Sequence, residues 1–130
     1  FPLDGSTGGD VVPASARIVS ATLEIFIDSV PFGSIVPTLL DLVIFPVNGL
    51  REGDFDSDPL LTQAFDLFAT DQGQFVSIDV TTLMEEAQRL GLTDFQVRFL
   101  LDLSADAGLV EIDDQPAVTA SAPLLIVVYE

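Results

Sequence analysis

The chain has 130 residues, 48% of them apolar, and a formal net charge of -17. That length closes one hydrophobic core without cross-links, and the apolar fraction argues against disorder. Arg17, Arg51, Arg89 and Arg98 are the only cations, so nothing is available to neutralise a nucleic-acid backbone or to be drawn to an anionic bilayer, and no apolar run reaches the roughly 20 residues of a transmembrane helix.

Residues 1–15 (FPLDGSTGGDVVPAS) are rich in Gly, Pro, Ser and Asp and read as an extended amino-terminal arm whose apolar anchors are Phe1, Leu3, Val11 and Val12. The remaining domain is expected to occupy residues 16–130. Over residues 17–28, Val19, Ala21, Leu23, Ile25 and Ile27 fall on one side and Ile18, Ser20, Thr22, Glu24, Phe26 and Asp28 on the other, the period of a half-buried strand. Residues 35–47 (IVPTLLDLVIFPV) form a second apolar run, in which Pro37 and Pro46 each remove a ladder donor and so favour a sheet edge or a strand end. Asn48-Gly49 supplies a turn. Residues 51–73 read as acidic and irregular, with at most a short strand or helical turn around 64–69, and residues 74–80 alternate again.

Residues 82–90 (TLMEEAQRL) predict the helix. Thr82 and Glu85 have the spacing of a capping box, Gly91 suits the left-handed position after the last turn, and Leu83, Ala87 and Leu90 share a face. Such a helix would cover an open end of a sandwich. Residues 94–103 place Phe95, Val97, Phe99, Leu101 and Leu103 inward and Gln96, Arg98 and Asp102 outward, and residues 109–112 and 124–129 complete the strands. About six to eight strands separated by turn signals predict an all-β fold, an antiparallel β-sandwich of jelly-roll or Greek-key type with one short helix.

The last strand carries apolar side chains on both faces, Leu124, Ile126 and Val128 on one and Leu125, Val127 and Tyr129 on the other. A strand of this kind belongs inside a sandwich or against another chain. Together with residues 35–47 it leaves surplus apolar surface, which implies an intermolecular contact, with the helix or the arm as competing intramolecular covers.

Four segments carry a family resemblance: residues 16–26 (ARIVSATLEIF), 75–83 (FVSIDVTTL), 95–102 (FQVRFLLD) and 122–129 (APLLIVVY). An opening strand with an Ala-x-Leu core, a middle strand leading into a Val-Thr helix start and a closing Pro-x-Leu strand ending in Tyr resemble the DNRLRE family. The resemblance implies a secreted or surface-displayed β-sandwich module. The chain departs from the family in lacking the tryptophan-bearing middle segment, since it has no Trp. A sugar site generally needs a flat aromatic platform, so the resemblance implies an extracellular scaffold or adhesive module more than a particular glycan ligand.

Asp54, Asp56 and Asp58 (GDFDSDP) alternate in a loop, the spacing by which a turning backbone offers several oxygens to calcium, the candidate cofactor. The same carboxylates also suit a solvated loop of an acidic protein. An EF-hand is ruled out, because Pro59 stands where the loop glycine should be and Phe65 takes the twelfth position. Asp113-Asp114 and Asp102/Asp106 carry the same ambiguity, with turn formation the commoner role. Arg98, in mid-strand, either anchors an acidic ligand or pairs with a carboxylate of a neighbouring strand, the commoner arrangement.

There is no His or Cys, which removes disulfides, thiolate metal sites and a conventional serine triad. Nor is there a nucleophile-elbow motif, and with 21 acidic residues no pair stands out for glycoside hydrolysis. The expectation is a non-enzymatic, extracellular or cell-surface structural protein, a homo-oligomer or filament whose arm adds as a strand to the open edge of the next subunit. No leader precedes Phe1, so an exported chain would be in its mature form. The alternative is a monomeric carbohydrate- or calcium-binding module of a larger surface protein. The lysine-free acidic surface suits high salt, divalent cations or acid pH and opposes self-association at low salt.

Overall fold

The computed structural model describes residues 1–6, 9–46, 49–102, 108–113 and 120–130. Strands make up 48% of it, in two antiparallel sheets with one short helix, so the fold is an all-β sandwich. The elements in order are β1 (Ile18–Phe32), β2 (Ile35–Leu42), β3 (Leu61–Phe68), β4 (Gln74–Asp79), α1 (Thr81–Arg89), β5 (Val97–Leu101), β6 (Leu109–Asp113) and β7 (Leu124–Tyr129).

The long β1 is the spine of the larger sheet. β7 pairs with its first half and β6 with its second, end to end on one flank, while β4 overlaps both registers and therefore lies on the other flank. The smaller sheet has the order β3-β2-β5. The chain passes between sheets after β1, β3, α1 and β5, which keeps the two sheets face to face. Leu23, Ile25 and Ile27 of β1 form one core with Val36, Leu40 and Leu42 of β2 and Leu67 of β3, and Leu83, Met84, Ala87 and Phe95 complete it.

Several local expectations need correction. Val19 is 45% exposed and Ile18 is buried instead, because an extra residue separates the Ile18–Tyr129 and Ser20–Val128 pairs and reverses the parity of β1. A further register shift between Ile27 and Ser29 allows Val30 to be buried as well. Pro37 lies within the central strand β2 rather than at an edge. Its carbonyl accepts from Asp102 at 3.0 Å, just past the end of β5, so its missing N–H falls where that ladder has finished. Residues 61–68, read as irregular, form a full strand paired along its whole length with β2.

The helix starts one residue earlier than expected, and Asp79 replaces the Thr82–Glu85 capping box. Its carboxylate accepts from the Thr81 N–H at 2.9 Å and the Thr81 hydroxyl at 2.6 Å, because Thr81 is already helical and Thr82 lies inside the first turn. The other end is as expected: Gly91 has φ 67°, its N–H donates to Gln88 O at 3.0 Å, and that of Leu92 donates to Ala87 O at 3.0 Å. Met84, not Leu90, joins Leu83 and Ala87 in the core, since Leu90 is the C-cap and is 40% exposed. Val47, Asn48, Leu103, Asp106 and Asp114 lie outside the described residues. Among the described residues no helix is long and apolar enough to cross a membrane.

Candidate functional site

The arm docks on its own chain. Leu3 N–H donates to Thr93 O at 3.0 Å and Phe95 N–H to Phe1 O at 2.8 Å, on either side of a Pro2–Asp94 bridge. Val12 N–H closes the arm on Leu3 O at 3.0 Å, and the Tyr129 hydroxyl donates to Val11 O at 2.9 Å. The four expected anchors divide: Leu3 and Val12 pack against the core, whereas Phe1 and Val11 stay exposed. Gly5 turns the arm at φ 77°, where a Cβ would lie 3.0 Å from Gly9 O, so the turn requires glycine.

β7 faces the core with Leu125, Val127 and Tyr129 and leaves Leu124 50%, Ile126 43% and Val128 49% exposed. Of its two apolar rows, one is therefore used. A groove of about 540 Å³ runs between this strand and the arm, walled by Phe1, Leu3 and Val12 on one side and Leu125 and Val127 on the other, with Asp10 also lining it.

The acidic loop is organised by an internal cation. Arg98 stands opposite Asp41 in the β2–β5 register. It donates to Asp41 Oδ2 from Nη2 at 2.7 Å and from Nε at 3.2 Å, and both side chains are buried. The Thr62 hydroxyl satisfies Asp41 Oδ1 at 2.5 Å. The remaining Arg98 donors take loop carbonyls: Nη1 reaches Phe55 O at 2.5 Å and Asp54 O at 3.5 Å, and Nη2 reaches Ser57 O at 3.0 Å. Arg98 thus makes the cross-strand ion pair, the commoner of its two expected roles.

The carbonyls that a calcium loop would turn toward its ion point here at a guanidinium. Asp54 uses Oδ2 to accept the Arg51 N–H at 2.7 Å. The structure does not gather Asp54, Asp56 and Asp58: among the described residues no group of three potential ligands is placed to hold a metal. Asp41 is the partner that sequence reasoning missed; its signal was a single carboxylate in an otherwise apolar run. Beside this cluster, Leu50, Arg51, Asp54 and Phe55 help to line a pocket of about 220 Å³.

Arg17 pairs with Glu130, and Arg89 with Glu86 at 2.6 Å, so three of the four arginines are engaged with carboxylates. No family model, curated protein or solved structure matches the chain.

Proposed function

We propose that the protein is a non-enzymatic structural subunit of an extracellular or cell-surface filament or array, linked through its amino-terminal arm. The observation that carries this reading is how the arm is held. A few main-chain bonds and the side chains of Leu3 and Val12 seat it, and a turn at Pro13 (Ala16 N–H to Pro13 O, 3.0 Å) joins it to β1. The same contacts form whichever copy supplies the arm, so exchange between copies substitutes like for like and concentration sets the balance. Such a head-to-tail contact does not close on itself and propagates. The resemblance of the strand segments to surface-displayed modules supports the location.

Negative-stain electron microscopy of the untagged chain at moderate salt, with and without calcium, tests the proposal. Filaments are expected from the parent chain, and dispersed, folded particles from a chain lacking residues 1–13. Dispersed parent chain, or filaments without the arm, would overturn it. The pocket beside the exposed Phe55 favours one second reading, a monomeric carbohydrate- or calcium-binding module. That reading predicts glycan affinity unchanged by arm deletion and lost in Phe55→Ala.

A further inference from the structure

β7 is an open edge of a kind the other edge strands avoid. Arg17 and Glu130 exchange both main-chain bonds, at 2.8 and 3.0 Å, which fixes the alternation along the β1–β7 ladder. Residues 124, 126 and 128 turn their peptide groups to β1, so Leu125 and Val127 turn theirs outward, where no backbone partner is found among the described residues. The remaining edge strands carry charge: Asp66 in β3, Asp79 in β4, Arg98 in β5, Glu111 and Asp113 in β6. Charges of that sort block edge-to-edge pairing. β7 has none, and the Arg17–Glu130 pair lies just past its end.

The geometry points to β7 as a homodimerisation edge, pairing antiparallel with β7 of a second copy and centred on Ile126. The occupant follows from charge. Each copy carries -17, so most encounters set carboxylates against carboxylates, and the strand that avoids this is β7 itself. Centred on Ile126, Leu125 exchanges main-chain bonds with the partner's Val127, and Leu124 lies across from the partner's Val128. The exposed row of one copy then continues into that of the other, and Glu130 stays outside the paired segment. The contact is isologous and closes as a dimer, independently of the arm.

Ile126 lies across from its own symmetry mate in a non-hydrogen-bonded pair, where Cα atoms approach to about 4.5 Å and a disulfide can form. The chain has no cysteine, so full-length Ile126→Cys is a clean reporter, with Ser77→Cys on the exposed face of β4 as its control. Under mild oxidation, Ile126→Cys is expected to give a disulfide-linked dimer well in excess of the control. The yield should rise between about 0.1 and about 1 M salt, as the Debye length falls from about 10 to about 3 Å. Equal or absent cross-linking in the two variants overturns the proposal. As a second measurement, Ile126→Lys with Val128→Lys changes only exposed positions and should abolish the dimer in sedimentation velocity; a persisting dimer overturns it. Filaments without the Ile126 cross-link would sink the β7 edge and spare the arm, whereas cross-linking without filaments supports the edge while the arm reading fails.

Discussion

β2 and β7 both run through apolar sequence with side chains on two faces, and they meet opposite fates. The outer side of β2 is covered from within: Asp41 holds Arg98, and Arg98 holds the carbonyls of Asp54, Phe55 and Ser57 over the sheet. The outer row of β7, Leu124, Ile126 and Val128, remains exposed. The difference lies in one charged pair. A guanidinium fixed in a sheet can capture a loop by its carbonyls, and a strand with no charged residue captures nothing. Surplus apolar surface therefore shows that a strand needs a cover, while a lone charge within it shows where an internal cover attaches.

The largest expected effect breaks the β2 side of this contrast. Arg98→Met leaves Asp41 buried and unpaired and should cost about 3–5 kcal/mol in urea denaturation, with loss of hydrogen-exchange protection over residues 51–58. Adding Asp41→Leu removes the orphaned charge and should restore much of that loss. A single-variant cost below about 1 kcal/mol, the worth of a surface pair, would mean that the loop is held by something else.

The inner side of β2 offers the next test. A Cβ on Gly108 would lie 2.9 Å from Cγ1 and 3.3 Å from Cγ2 of the buried Val36. Gly108→Ala should therefore destabilise by about 1–3 kcal/mol through overpacking. Val36→Ala in the same chain makes room, so the double variant should lose less than the sum of the two single losses. Strict additivity would show that Gly108 and Val36 do not share a packed contact.

Why β1, β4, β5, β7 and α1 were legible while β3 was not comes down to which signals are local. Their alternation or helical spacing is carried by neighbouring residues. In β3 the inward row Leu61, Phe65 and Leu67 is interrupted by Gln63, whose amide donates to Asp79 O at 2.7 Å, so polarity hides the period. The exchange of Val19 for Ile18 depends on a bulge set by pairing with β7, more than 100 residues away, and leaves no local trace. At the acidic loop, the Arg98 pairing followed from a lone charge in an apolar strand. The direction of the loop carbonyls did not, because backbone orientation in an irregular segment has no side-chain signature. The arm was legible by its four anchors, but the choice of Leu3 and Val12 is made by the Thr93–Phe95 segment that receives it.

A smaller effect is expected in the larger sheet, where Asp79 joins β4 to the helix. The hydrogen bonds from Thr81 lower its carboxyl pKa below the ordinary 3.8. A depressed folded-state pKa gives stability that is complete above the ordinary value and is lost as pH falls through the folded one. Asp79→Asn should cost about 1 kcal/mol at neutral pH, as other losses of a helix-start acceptor do. The gap between parent and variant in denaturant titrations should close on acidification below that range. A gap that is unchanged across the acid limb would assign the loss to packing rather than to the carboxylate.

The smallest effect is the sharpest for β7. Ile126→Thr with Val128→Thr alters only the exposed row, so the dilute monomer should change by no more than about 0.5 kcal/mol, whereas Leu40→Ala in the buried row of β2 should cost about 2–5 kcal/mol. Concentration separates an idle exposed row from one that a second copy covers. A partner that binds only the folded chain adds stability by mass action, so the cost of the β7 substitutions should grow with protein concentration if copies meet there. A cost that is already large at the lowest concentration, and constant above it, would mean that the row is buried within the single chain, and the contrast with β2 would fail.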